Sequence, residues 1–178
     1  MKILFVEPRY HTNQIGWINC LKQNNHEVIM HVVNKGKIED YSNLKPEYIK
    51  PCTLSNLIMT YIGEGGTNKF RSFPNPLKYY IKIKNENPDL IIIRDINRYI
   101  SIVAIFISRL LNKKIFIYSQ TTINKKYSFL RLKFTNFLMK LLNSAWISPV
   151  RGNEDQYTKK PKHMYYLPFV VDIEMSNK

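Results

Sequence analysis

A chain of 178 residues with 44% hydrophobic residues has enough length and apolar content for one packed domain, and wholesale disorder is excluded. Its 27 Lys+Arg against 13 Asp+Glu give a formal net charge of +14, which points to an anionic partner: nucleic acid, a membrane surface or a phosphorylated substrate. The two cysteines, Cys20 and Cys52, have no recognisable spacing; they read as reduced core residues rather than a disulfide framework or a zinc site.

The opening run Ile3-Leu4-Phe5-Val6 reads as a buried strand ended by Pro8, and four apolar residues are too few for a secretory signal. Residues 15–24 read as a helix, with Thr12 or Asn13 as N-cap and Asn24-Asn25 suited to a left-handed end. The second strand is expected over 28–33. Residues 34–75 are the least regular part, with Pro46, Pro51, Pro74 and a Gly63-Glu64-Gly65-Gly66 loop; a weak strand near Ile49 and a short helix over 54–62 are expected there. Pro76 suits the first turn of a helix that runs to about Glu86. Asn87-Pro88-Asp89 introduces the fully buried strand Leu90-Ile91-Ile92-Ile93. Residues 99–111 form a helix hydrophobic nearly all round, expected to pack on several sides, and too short for the ~20 residues a bilayer span needs. A strand over 115–118, a helix over 127–143 and strands over 145–148 and 164–167 complete the pattern.

Continuous apolar strands imply a sheet buried on both faces. Strands alternating with helices through right-handed crossovers give an α/β domain: a doubly wound, mostly parallel Rossmann-like sheet in a single domain. Ligands of such sheets bind beyond the carboxyl ends of the strands. The segments to watch are therefore 7–13, 94–97, 119–124 and 149–153. Arg9 and His11 suit an anionic or hydroxylated ligand, or are ordinary loop residues. Arg94 and Asp95 follow the firmest strand; Asp95 faces a ligand or caps the next helix. Ser119-Gln120-Thr121-Thr122 holds the same place after the next strand and invites the same two readings.

No G-x-G-x-x-G follows the first strand, which disfavours ordinary nicotinamide or flavin binding. The glycine loop at 63–66 lacks the G-K-[ST] of a phosphate cradle. His11, His26, His31 and His163 are scattered, so no metal site and no Ser-His-Asp set is argued, and no catalytic residue is assigned.

The charge is regional. Residues 96–153 contain no Asp or Glu and ten basic residues, while the rest carries 17 basic and 13 acidic groups, a net of +4. Ile 23, Lys 20 and Asn 18 look like AT-rich coding, but such drift would spread lysine evenly. In the last long helix and its lead-in, Lys126, Lys133 and Lys140 are seven apart and fall on one line, with Lys125 beside them. Phe129 adjoins that line, and Leu130, Phe134, Phe137, Leu138 and Leu141 form the neighbouring apolar face. This is the pattern of an interfacial helix, or of a core-packed helix whose lysines are its solvated edge.

Several motifs align in order with a known group. Leu21-Lys22-Gln23-Asn24-Asn25-His26-Glu27-Val28 corresponds to a helix ending L-x-x-x-G-H-E-V. Pro88-Asp89 precedes a buried strand, Tyr118-Ser119-Gln120 stands where a T-x-H element follows a strand, Ser148 ends a late strand, and Pro168-Phe169-Val170-Val171-Asp172 stands for P-N-G-V-D. The chain resembles the N-terminal domain of GT-B-fold, nucleotide-sugar-dependent retaining glycosyltransferases, the group of glycogen synthase and phosphatidylinositol mannosyltransferase. It departs from them in lacking a Gly-Gly loop after the first strand, since Gly16 lies inside the helix. It also has Gln120 for the family's active-site His, and Phe169-Val170 for Asn-Gly.

The resemblance implies a bacterial-type enzyme of surface polysaccharide or glycolipid synthesis. Residues 1–172 would be its acceptor-binding domain and 173–178 the start of a linker to a C-terminal donor-binding domain, working in cis or trans, without which the chain is inactive. The nucleotide sugar is then a substrate held mainly by that other domain, with no cofactor and no metal. Arg9, His11, Asn13, Arg94, Asp95, Gln120 and Arg151 are the expected acceptor contacts, and Lys125, Lys126, Lys133 and Lys140 the expected membrane or anion contacts. The partners expected are a sugar or lipid-linked acceptor and an anionic membrane surface, with the protein cytoplasmic and peripheral on the inner face of the plasma membrane. The alternative is a basic nucleic-acid-binding α/β domain without enzymatic activity, though no recognised nucleic-acid motif is present.

Overall fold

A computed structural model describes residues 1–11, 14–34, 41–42, 44–62, 72–123, 128–152 and 162–168. In chain order the elements are β1 (Lys2–Arg9), α1 (Ile15–Gln23), β2 (Glu27–Asn34), β3 (Glu47–Tyr48), α2 (Thr53–Ile62), α3 (Pro76–Glu86) and β4 (Leu90–Arg94). They continue with α4 (Tyr99–Leu110), β5 (Lys114–Tyr118), α5 (Phe129–Leu142), β6 (Ala145–Ser148) and β7 (Met164–Tyr166). The strands form one sheet in the order β3-β2-β1-β4-β5-β6-β7, and every neighbouring pair is parallel. The chain winds one way from β1 to β3 and the other way from β4 to β7. The winding reverses between β1 and β4, which are paired side by side. This is the doubly wound Rossmann-like α/β domain expected.

Local chemistry sets the element ends. Asn25, Asn87, Asn112 and Asn143 have φ of 59, 50, 52 and 46° and follow α1, α3, α4 and α5. Asparagine tolerates this left-handed conformation better than other non-glycine residues, so part of the asparagine excess ends helices. Asn75 caps α3 by accepting from the Lys78 amide at 3.1 Å, with Pro76 in the first turn. Gln14 precedes α1 without a side-chain cap; the expected caps Thr12 and Asn13 lie outside the described residues.

Pro8 does not end β1. Pairing with β4 covers only Ile3–Val6, and pairing with β2 runs on to Arg9↔Asn34. The missing N–H of Pro8 thus falls beyond the β4 ladder and costs no bond there.

Two cores flank the sheet. On one face Leu4, Val6, Ile91 and Ile93 meet Tyr79 and Ile83 of α3, Ile100, Ala104 and Ile107 of α4, and Met139 and Leu142 of α5. On the other, Ile3, Phe5, Val28 and Met30 meet Ile15 and Ile18 of α1. Each fully buried Val, Leu, Ile, Phe or Met side chain among them contributes about 1.5–3 kcal/mol. The α1 layer stops short of the far strands. In β5, Ile115 and Ile117 are buried while Lys114 and Phe116 are exposed, and Tyr165 of β7 is exposed as well. Burial on both faces therefore holds for β1 and β2 but not for β5.

Helix α4 differs from expectation, and α5 packs in one of the two ways its sequence allowed. The sheet and α3 are the main neighbours of α4. It packs through one side only, and Ile102, Phe106 and Leu110 form an outward row at i, i+4, i+8. Helix α5 packs through Thr135, Met139 and Leu142, so Phe129, Leu130, Phe134, Phe137 and Leu141 face outward. No helix among the described residues is long and apolar enough to cross a membrane.

Candidate functional site at the topological switch point

Strands β1 and β4 end side by side where the winding reverses. This is the position at which open α/β sheets form a ligand crevice. The residues there are Glu7 on β1, Arg94 on β4 and Tyr118 on β5, with Arg94 and Tyr118 in direct register. Glu7 Oε2 accepts from Arg94 Nη1 at 3.2 Å, and Gln14 Nε2, at the entry to α1, donates to Glu7 Oε1. The Arg94 guanidinium also stacks 5.5 Å over the Tyr118 ring. Both members of the Glu7–Arg94 pair are buried.

Burial dominates the electrostatics. Desolvation raises the Glu7 carboxyl to about 7, against the opposing pull of Arg94 and of the Gln14 hydrogen bond. Glu7 can therefore hold or release a proton near neutral pH. Burial likewise pushes the Tyr118 hydroxyl up to about 12, partly opposed by Arg94, so it stays a neutral donor.

Asp95 directly follows β4, with φ 53°. A non-glycine residue in this region is strained unless local bonds hold it. Here its N–H donates to the Tyr118 carbonyl at 2.8 Å and its carbonyl accepts from the Arg98 amide at 3.0 Å. Its carboxylate lies 3.8 Å from Arg94 Nε and 3.9 Å from Arg98 Nε and is partly exposed. Asp95 does not cap α4, because Arg98 holds the N-cap position without a side-chain cap bond. The helix-cap reading of Asp95 is thereby excluded.

The other expected contacts are dispersed around this centre. Arg9 Nε donates to His11 Nε2 at 3.2 Å, so these two act as one unit at the end of β1. Gln120 is exposed after β5, and Arg151 is exposed after β6. The loops carrying them are tied together by the Ile123 amide on the Val150 carbonyl at 2.9 Å. Arg94 is committed to Glu7 and Tyr118, which makes it a support for the crevice. Asn13, Lys125 and Lys126 lie outside the described residues; Lys133 and Lys140 are exposed on α5.

Four residues of the site carried no individual sequence assignment: Glu7, Gln14, Trp17 and Tyr118. Trp17 meets the Tyr118 ring edge-on at 5.1 Å, and its indole N–H donates to the Pro168 carbonyl at 2.9 Å. The segment after β7 is thereby pinned to α1 beside the crevice. A charged residue directly after a buried run was the one available signal for Glu7.

A second polar cluster lies away from this crevice. His31 on β2 is fully buried; Nδ1 meets the Tyr79 hydroxyl at 3.2 Å and Nε2 meets Glu86 Oε1 at 3.1 Å. The ligand atoms of His31, Glu47 and Glu86 lie within 4.8 Å of one another. Lys82 Nζ sits between the carboxylates, 2.7 Å from Glu86 and bonded to Glu47, so an internal cation already fills the centre.

No family profile matches the sequence, and no curated protein sequence does. Solved structures do match. The chain superposes on Anabaena Alr3699/HepE, solved with UDP-glucose, with a TM-score of 0.59 and 15% identity over 98% of this chain and 45% of that one. It superposes on Acinetobacter baumannii MurG with a TM-score of 0.54 and 8% identity, over 98% of this chain and 48% of that one. It superposes on the lipopolysaccharide outer core galactosyltransferase WaaB with a TM-score of 0.53 and 16% identity, over 97% and 47%. The chain thus spans a little under half the length of these structures. At such identities the likeness establishes the fold and not the chemistry: the protein is a Rossmann-like α/β domain with the architecture of one half of glycosyltransferase-fold enzymes.

Proposed function

We propose that the chain is the N-terminal, acceptor-binding half of a nucleotide-sugar-dependent glycosyltransferase, of the retaining GT-B group that its motifs resemble. The observation that carries this reading is the superposition of 98% of the chain on 45% of a protein solved with UDP-glucose. The polar cluster of Glu7, Arg94 and Tyr118 at the β1–β4 switch point supports it, because it sits where this fold takes ligands. Asp95, Gln120 and the Arg9–His11 unit are the groups for an acceptor's hydroxyls or phosphates. Glu7 and Arg94 hold the crevice floor, and Arg151 approaches from the β6 loop. The nucleotide sugar is a substrate held mainly by a C-terminal donor-binding domain, supplied in cis or in trans, and the chain alone does not turn over. The acceptor is a sugar or lipid-linked sugar of bacterial cell-surface polysaccharide or glycolipid synthesis, met by a cytoplasmic protein at the inner face of the plasma membrane.

Calorimetric titration of the chain with a lipid-diphosphate-linked sugar, with UDP-glucose and with a short RNA tests this reading. Saturable binding of the lipid-linked sugar, weakened in Asp95→Asn and independent of the donor, supports it. Saturable, salt-sensitive RNA binding with no response to the sugar would favour the nucleic-acid alternative instead.

A further inference from the structure

Three elements far apart in sequence converge on one buried histidine. His31 on β2 is in register with Glu47 on β3, so both side chains leave the same face of the sheet. Helix α3 covers that face and brings Tyr79, Lys82 and Glu86 to it. His31 has no exposed surface, and its Nε2 lies 3.1 Å from Glu86 Oε1 and 4.0 Å from Glu47 Oε2. Ligand atoms about 2.0–2.2 Å from a tetrahedral zinc ion stand roughly 3.3–3.6 Å apart. Adjustments of about 1 Å therefore make these three atoms three corners of such a site. A second observation points the same way. Glu86 Oε2 is buried and has no hydrogen-bond partner. A buried carboxylate oxygen in that condition is costly, and a cation between the two acids relieves it.

Charge and donor type select the ion. The Lys82 ammonium bridges Glu86 and Glu47 and marks the cation position. Two carboxylates against one ammonium leave a negative charge uncompensated, and a divalent ion balances both acids. The Lys82 side chain is one-third exposed on a flexible stem, so its ammonium can withdraw to solvent. A cleft of about 330 Å³ between β3 and α3, lined by Glu47, Asn75, Lys78, Tyr79 and Lys82, gives it room and admits a water as fourth ligand. One imidazole with two carboxylates suits zinc, which such donors hold more tightly than manganese; magnesium asks for an octahedron of oxygens. The outer contact is in place too. Tyr79 hydroxyl lies 3.2 Å from His31 Nδ1, and it can accept the N–H that a metal at Nε2 requires there.

We propose that His31, Glu47 and Glu86 form a zinc site in which the ion exchanges with the Lys82 ammonium. Zinc held there joins β2, α3 and β3, the two-residue strand at the end of the sheet, and so stabilises that edge of the domain. The site stands on these side chains alone and is independent of which acceptor the chain binds.

Competition titration of the full chain against a chromophoric zinc chelator tests it. One zinc ion per chain should bind saturably and more tightly than manganese, magnesium should not compete, and the thermal midpoint should rise with zinc concentration. Lys82→Gln should tighten zinc binding about tenfold, because the ammonium no longer competes for the carboxylates. Glu47→Gln and Glu86→Gln should each weaken it by about 100-fold or more, and Tyr79→Phe by roughly tenfold. Glu47 is half-exposed, so its variant keeps the fold, which an unchanged circular dichroism spectrum confirms. The Met1 amine and His26 Nδ1, 3.5 Å apart, are another place where zinc could collect, and His26→Gln should bind like the parent. Nitrogen NMR of the labelled chain should show the His31 ring signals moving when zinc is added. No saturable zinc binding overturns the proposal. So does binding that is lost in His26→Gln, that is indifferent to Glu47→Gln, or that Lys82→Gln does not strengthen.

Discussion

Glu7 and Arg94 meet 3.2 Å apart, both buried, on adjacent strands that the chain reaches 87 residues apart. The contact lies at the single point where the sheet's winding reverses. It buries an acid whose pKa is raised to about 7, and it fixes the guanidinium over Tyr118. A buried pair of this kind is a costly structural element, because desolvation competes with the mutual attraction.

The first prediction follows from that competition. The Glu7 pKa is raised from 4.5 to about 7 on folding. The folded state therefore binds the proton more tightly than the unfolded chain. Its contribution is fully present below pH 4.5 and is lost as pH rises through about 7, by up to about 1.4 kcal/mol per pH unit. Glu7→Gln mimics the protonated acid. Urea unfolding across this range should find the variant equal to the parent near the acid end and more stable than it above neutrality. A variant less stable than the parent at both ends contradicts this account of Glu7.

Asp95 is held at φ 53°. Asp95→Val should destabilise by about 1–2 kcal/mol, because a β-branched residue pays the full left-handed penalty. Asp95→Asn tolerates the same backbone and should fold normally. Its acceptor affinity should fall by about tenfold, through loss of a charged hydrogen-bond acceptor. Chemical denaturation reads the first effect and calorimetry the second.

Trp17 ties the segment after β7 to α1 through Pro168. Trp17→Phe keeps most of the ring and loses the indole donor, at a cost of about 0.5–1.5 kcal/mol. The Leu167 amide, bonded to the Ser148 carbonyl at 2.9 Å, should then exchange with deuterium faster than in the parent. The Ile93 amide in the sheet centre should be unaffected.

Glu86 behaves oppositely to Glu7. Burial acts to raise its pKa, but hydrogen bonds from His31 and Lys82 outweigh it and the carboxyl is lowered below 4.5. Its contribution is therefore present above the unfolded pKa and lost as pH falls through the folded one. Glu86→Gln should destabilise by about 1 kcal/mol at neutral pH, and the difference should vanish in strong acid. Urea unfolding at the two pH values is the check.

The sequence carried most of the element pattern because local chemistry is strong here. Asparagines follow four helices at positive φ, Asn75-Pro76 starts α3, and the strands are dense in isoleucine. Neighbour relationships were harder to read. Periodicity finds an apolar stripe but not what covers it, so α4 looked surrounded and is packed on one side. In α5 the helix is anchored by Thr135, Met139 and Leu142 rather than by its aromatic residues. The segments to watch were the ends of β1, β4, β5 and β6. The buried cluster at the ends of β1 and β4 was not legible, because Glu7 gains meaning only from Arg94 and Gln14, and no local pattern brings those three together.

The most direct test of the central claim follows the backbone amides of the isotopically labelled chain by NMR. A lipid-diphosphate-linked sugar is added in small detergent micelles, and empty micelles serve as the control. The account predicts saturable shifts, larger than those empty micelles cause, at Asp95, Gln120 and the Trp17 indole N–H, reduced in Asp95→Asn. Shifts confined to α5, or none at the ends of β1, β4 and β5, would contradict an acceptor site at the switch point.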